Sequence, residues 1–155
     1  MIRARPRSVT VRAMEQSSPA RLYSGSAGAT LVVVGIIGFF YSSDFGSPGN
    51  VDAVFGILDV NGWHNVVHIL TGALGLLAFG AGTYAVRQYA LAVGAFYIVV
   101  AVWGFIVSSG DSILSIIPVN TEDNVLHLLI GIAGIAAGLA TVQARTAAPA
   151  GPATT

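Results

Sequence analysis

The chain has 155 residues, 54% of them hydrophobic and 9% charged, with seven Arg, no Lys, seven acids and a formal net charge of zero. A soluble domain carries about 25% charged residues, so a water-facing surface of ordinary composition is excluded and the chain reads as an integral membrane protein. The absence of Cys excludes disulfide staples, thiolate metal sites and thiol nucleophiles, and the balanced charge offers no field for nucleic acid.

Residues 1–19 carry Arg3, Arg5, Arg7, Arg12 and Glu15 without apolar periodicity and are expected to form a disordered cytoplasmic tail. Long uncharged stretches follow between Arg21 and Asp44, Asp59 and Arg87, Arg87 and Asp111, and Asp123 and Arg145. Each holds the roughly 20 residues that a helix needs to cross about 30 Å of hydrocarbon. Spans are therefore expected near 22–42, 63–85, 88–109 and 123–143. The first run exceeds the core of a signal peptide, about 7–15 residues, and reads as a retained span. The loop after it carries Val51, Val54, Phe55 and Leu58 at helical spacing, and the loop after the third span carries Ile113, Leu114, Ile116 and Ile117 before Pro118. Both stretches are too short to span and are expected to lie in the interface or over the bundle end. Residues 145–155, rich in Ala, Pro and Thr, make a second disordered cytoplasmic tail.

All seven arginines flank spans on one side, with Arg87 between the second and third and Arg145 after the fourth. Asp44, Asp52, Asp59, Asp111, Glu122 and Asp123 fall in the two connections on the other side. Short basic flanks resist translocation, so a multi-pass protein of the cell membrane with both termini cytoplasmic is expected. Tyr23, Tyr84 and Tyr89 near the inner ends, and Tyr41 and Trp63 near the outer ends, suit interfacial aromatic belts.

One pattern is written twice. V-N-x-x-x-N-V-x-H-x-L-x-G-x-x-G runs from Val60 to Gly75 and again from Val119 to Gly134, at an offset of 59. G-F-x-x-S-S runs from Gly38 to Ser43 and from Gly104 to Ser109, at an offset of 66. The expected fold is all-α: a polytopic four-helix transmembrane bundle made of two tandem parallel helical hairpins, about 22–86 and 88–144, within a membrane domain of residues 20–144. Parallel repeats place their symmetry axis along the membrane normal.

At about 100° per residue, Asn65, His68, Gly72 and Gly75 share one stripe of the second span, and Asn124, His127, Gly131 and Gly134 share one of the fourth. Small residues let membrane helices approach closely. The four glycines are therefore assigned to helix packing, and the polar residues beside them face protein. Asn61 and Asn120 stand where a helix N-cap would. His68, His127, Asn65 and Asn124 form the candidate ligand or proton site, because ionisable groups within spans are costly and His titrates near neutrality. The competing reading makes them polar latches to the outer loops or to Ser42, Ser43, Ser108 and Ser109. His64-x-x-x-His68 has helical ligand spacing, yet Asp123 stands at the place matched to His64, and the stripe has no carboxylate. No metal or cofactor is assigned, with His64, His68 and His127 as the remaining metal candidates. No nucleophile beside a base and no phosphate-cradling loop occur, which points away from an enzyme.

The duplicated N-x-x-H-x-x-x-G-x-x-G, Asn65 to Gly75 and Asn124 to Gly134, in a small Arg-bearing four-span chain resembles the bacterial membrane family known as domain of unknown function 4383, over residues 20–143. The resemblance implies a topology and no activity. More distantly, the architecture resembles the DoxX-type four-span proteins linked to quinone or thiol redox chemistry, and a chain without Cys cannot supply the thiol half. The functional expectation is a noncatalytic structural or accessory subunit, or a sensor, with its Asn/His motifs near the outer face. The alternative is a redox component binding haem or quinone between the second and fourth helices. Expected partners are the lipid bilayer and a second copy or a membrane-complex subunit, with no nucleic acid.

Overall fold

The computed structural model describes residues 18–49, 51–107 and 111–146. Most of both tails, and Ser108 and Ser109, lie outside the described residues. Four helices carry the fold: α1 (Pro19–Gly38), α2 (Gly62–Ala81), α3 (Thr83–Ile106) and α4 (Thr121–Thr146). All four are long and apolar enough to cross a membrane, α4 over Thr121–Thr141. The fold is an all-α bundle of apolar helices, with two very small β-hairpins at one end.

Helix ends follow from local chemistry. Pro19 opens α1, where its missing N–H has no helical partner to lose. Asn61 caps α2 by accepting the His64 N–H at 2.9 Å, and Asn120 accepts the Asp123 N–H at 2.8 Å at the start of α4. Between α2 and α3 stands a single residue, Gly82, with φ of 109°, a conformation that side chains resist. The second span thus stops at Ala81 rather than 85, and the third starts at Thr83 rather than 88. Charge placed the boundary at Arg87, but the chain turns at the glycine. Similarly α1 ends at Gly38, not 42, because the next residues form turns, with Phe40 and Tyr41 N–H donating to Ile37 and Gly38 carbonyls.

The two apolar loop stretches are hairpins. β1 (Asp52–Val54) pairs antiparallel with β2 (Leu58–Val60), and β3 (Ser112–Ile113) with β4 (Ile117–Pro118). The helical spacing of Val51, Val54, Phe55 and Leu58 does not become a helix. Phe55 and Gly56 take φ of 53° and 71° and reverse the chain, so that Val54 pairs with Leu58. Leu114 and Ser115, at 55° and 57°, do the same in the second loop. β2 and β4 touch each other and the start of α2, and β2 also reaches α4, so the hairpins cover one end of the bundle.

α1 packs chiefly on α2, and α3 on α4. The closest approaches are backbone to backbone. A Cβ at Gly28 would stand 2.9 Å from the Gly72 oxygen, and one at Gly94 would stand 2.9 Å from the Gly131 oxygen. Tyr23 Oη donates to the Ile130 carbonyl (3.1 Å) and Tyr89 Oη to the Thr71 carbonyl (3.2 Å). These two tyrosines therefore face the bundle and not an interfacial belt, because a buried hydroxyl needs an acceptor that the opposite helix supplies. At the Gly82 end, Ala20, Val86 and Ala90 form an apolar core with Tyr23 and Ala78, and the Ala20 N–H donates to Thr141 Oγ1 at 2.9 Å.

Candidate functional site

At the hairpin end the interior turns polar, and its geometry starts from the two asparagine caps. Asn61 Oδ1 holds the His64 N–H, which sets His64 in the first turn of α2, and His68 follows one turn later on the same face. Asn120 does the same for Asp123, and His127 follows one turn on along α4. The asparagine amides reach beyond their own helices. Asn61 Nδ2 donates to the carbonyls of Pro48 (2.7 Å) and Ile116 (2.5 Å), and Asn120 Nδ2 donates to the Ile57 carbonyl (2.7 Å).

The Asp59 peptide joins the loops to this layer. Its N–H donates to Asp123 Oδ2 at 2.9 Å, and its carbonyl accepts from His64 Nδ1 at 2.9 Å. A carbonyl can only accept, so His64 carries its proton on Nδ1 and leaves the Nε2 lone pair free. That Nε2 is buried and has no hydrogen-bond partner.

Three imidazoles converge here. His64, His68 and His127 are 2%, 8% and 5% exposed, and one ligand nitrogen from each lies within 4.8 Å of the other two. Ring centroids are 4.4 Å apart for His64 and His68, 5.9 Å for His64 and His127, and 6.2 Å for His68 and His127. Neither nitrogen of His68 has a partner, nor does His127 Nδ1. The Tyr97 ring lies 5.1 Å from that of His127, and its hydroxyl is buried and also unpartnered. Each unsatisfied buried polar group costs about 1–3 kcal/mol. A cluster of five is therefore a site that gains from a guest: lone pairs can bind a proton, a water or a metal ion.

The remaining sequence candidates lie around this cluster. Asn65 Nδ2 donates to the Ser42 carbonyl at 2.8 Å, fastening the chain after α1 to α2. Asn124 is buried against Gly104 as Asn65 is against Gly38, since a Cβ at either glycine would collide with the facing amide oxygen. Gly72 and Gly75 abut Gly28, and Gly131 abuts Gly94, while Gly134 faces Tyr23 and Ala90. His64, unmatched by a second histidine in the repeat, stands with His68 and His127. The pair foreseen as axial haem ligands, His68 and His127, comes with a third imidazole beside it, the His64 ring centroid lying 4.4 Å from that of His68 and 5.9 Å from that of His127. Sequence reasoning passed over Tyr97 and the Asp59 peptide. Tyr97 was within reach, because it shares the buried stripe of Ala90, Gly94, Ala101 and Gly104. The Asp59 contacts are backbone contacts and carry no residue-type signal.

No curated protein and no solved structure matches the chain. The family described as a domain of unknown function (DUF4383) matches over residues 21–140, which takes in nearly all of the helical bundle and both hairpins. The chain therefore belongs to the DUF4383 family.

Proposed function

We propose that this protein is a noncatalytic accessory or sensor protein of a cell membrane, with both termini cytoplasmic, whose working part is the polar layer beneath the outer hairpins. The observation that carries the reading is a reciprocal clamp. Asn61, which caps α2, holds Ile116 in the second hairpin loop, and Asn120, which caps α4, holds Ile57 in the first. Each cap thus ties its own helix to the loop of the other half, with His64 about one turn below and His68 and His127 about two. A change among the histidines would be felt by both outer loops together.

The reading treats the halves as two copies of one hairpin. Contacts related by the offsets of 66 and 59 support this: Tyr23 to Ile130 matches Tyr89 to Thr71, and Gly38 against Asn65 matches Gly104 against Asn124. Arg21 and Arg87 lie toward the Gly82 end and the loop acids toward the hairpin end, which supports a cytoplasmic Gly82 end. Leu22, Leu70, Leu77 and Ile106 on the outer surface are more than half exposed, as lipid-facing residues are.

Spin labels at Phe55→Cys and Leu114→Cys test the clamp. Asn120→Ala is expected to raise label mobility at position 55, and Asn61→Ala at position 114. If each variant loosens only the hairpin of its own half, the clamp and the sensor reading built on it fail.

A further inference from the structure

We propose that His64, His68 and His127 form a binding site for one divalent transition-metal ion of borderline character, such as Zn(II) or Cu(II). The inference stands apart from the clamp, because it rests on the nitrogens and not on the asparagines. His64 and His68 supply two ligands at i and i+4 on one face of α2, and His127 supplies the third from α4. The His64 Nε2 is prepared for the ion: its Nδ1–H is held by the Asp59 carbonyl, so the lone pair is fixed on the buried nitrogen that has no partner. Metal-bound imidazoles have this second hydrogen bond almost always, whereas a ring that merely fills a core has no need to leave its other nitrogen bare.

His68 and His127 Nδ1 complete the set without partners that would have to be broken first. Zn–N bonds of about 2.0–2.1 Å place tetrahedral ligand nitrogens about 3.3 Å apart. The present separations, within 4.8 Å, therefore need small ring rotations and helix shifts, and no rebuilding. Three neutral imidazoles without thiolate or carboxylate suit Zn(II) and Cu(II) over Mg(II) or Ca(II), which take oxygen ligands. Asp123 is not among the converging ligand groups, and its Oδ2 accepts from the Asp59 N–H instead. Three protein ligands leave a fourth position open to water or a small anion.

The test uses the full chain, purified in detergent micelles, stripped with a chelator and titrated calorimetrically with zinc chloride and then copper(II) chloride. One ion per chain is expected. His64→Ala, His68→Ala and His127→Ala should each weaken binding by more than about 100-fold, since even an outer-sphere partner is worth about 10- to 100-fold. Phe55→Ala, at an exposed hairpin tip, should bind like the parent. Absence of binding by the parent chain overturns the proposal, and so does affinity unchanged in the three histidine variants, which would put the ion on the exposed acids. The Cu(II) complex of the parent gives a readout that no folding defect can spoil. Its electron paramagnetic resonance spectrum should carry nitrogen couplings from imidazoles, and a spectrum of oxygen ligands alone would sink the idea.

Discussion

The single side chain of Asn61 serves both a helix end and two loops. Its oxygen accepts from His64 N–H, and its amide reaches Pro48 and Ile116. Loss of an asparagine cap costs about 1 kcal/mol, and each lost hydrogen bond adds about as much again. Asn61→Ala is expected to lower unfolding free energy in micelles by about 3 kcal/mol, one part for the cap and two for the bonds to Pro48 and Ile116. Asn61→Asp, which keeps the cap oxygen and loses the donors, should fall between the two. Equal stability of all three proteins in a denaturant titration would contradict this division. At this scale the sequence was legible where it repeated itself. Asn65, His68, Asn124 and His127 stood out because the same letters recur at one offset. His64 had only its i, i+4 spacing from His68 to mark it, because repetition hides whatever the halves do not share, and its place in the cluster depends on a helix cap and a backbone carbonyl.

At Gly28 and Gly94 the helices meet against backbone, where no side chain can give way. A Cβ at Gly28 would stand 2.9 Å from the Gly72 oxygen and 3.0 Å from the Leu76 nitrogen, and one at Gly94 would stand 2.8 Å from the Ile135 nitrogen. Gly28→Ala and Gly94→Ala must therefore push whole helices apart, and overpacking of this kind costs about 1–3 kcal/mol. Gly80 is the matched control, since a Cβ there meets nothing within 4 Å. Gly80→Ala should be neutral or stabilising, by up to about 1 kcal/mol from helix propensity. Thermal unfolding in micelles separates these outcomes. The helices themselves were readable from the uncharged intervals, but their ends were not, because Gly82 and the turns after Gly38 act through backbone angles. The hairpins escaped for a related reason: four apolar residues at helical spacing cannot reveal that Phe55 takes a left-handed conformation.

The protein as a whole presents two unlike ends. Because the chain has no cysteine, any introduced thiol is the sole site of labelling. Phe55→Cys is expected to react with a membrane-impermeant maleimide in intact cells. Tyr84→Cys, equally exposed but beside Gly82, should react only after permeabilisation. The reverse pattern would turn the topology over. The single-residue joint at Gly82 has a mechanical consequence. It sits beside the Ala20, Val86 and Ala90 core and the Ala20 to Thr141 bond, whereas the histidines sit at the far end on α2 and α4. At about 1.5 Å per residue, about 21 Å of helix separates Gly82 from His68. A tilt of about 4° between α2 and the α3–α4 pair moves that far end by about 1.5 Å. With the nitrogens within 4.8 Å of one another, this is about the most that the His127 nitrogen and those on α2 would have to close to reach the spacing around a bound ion. An ion held between α2 and α4 would therefore ask for no more than a slight change of angle at one glycine.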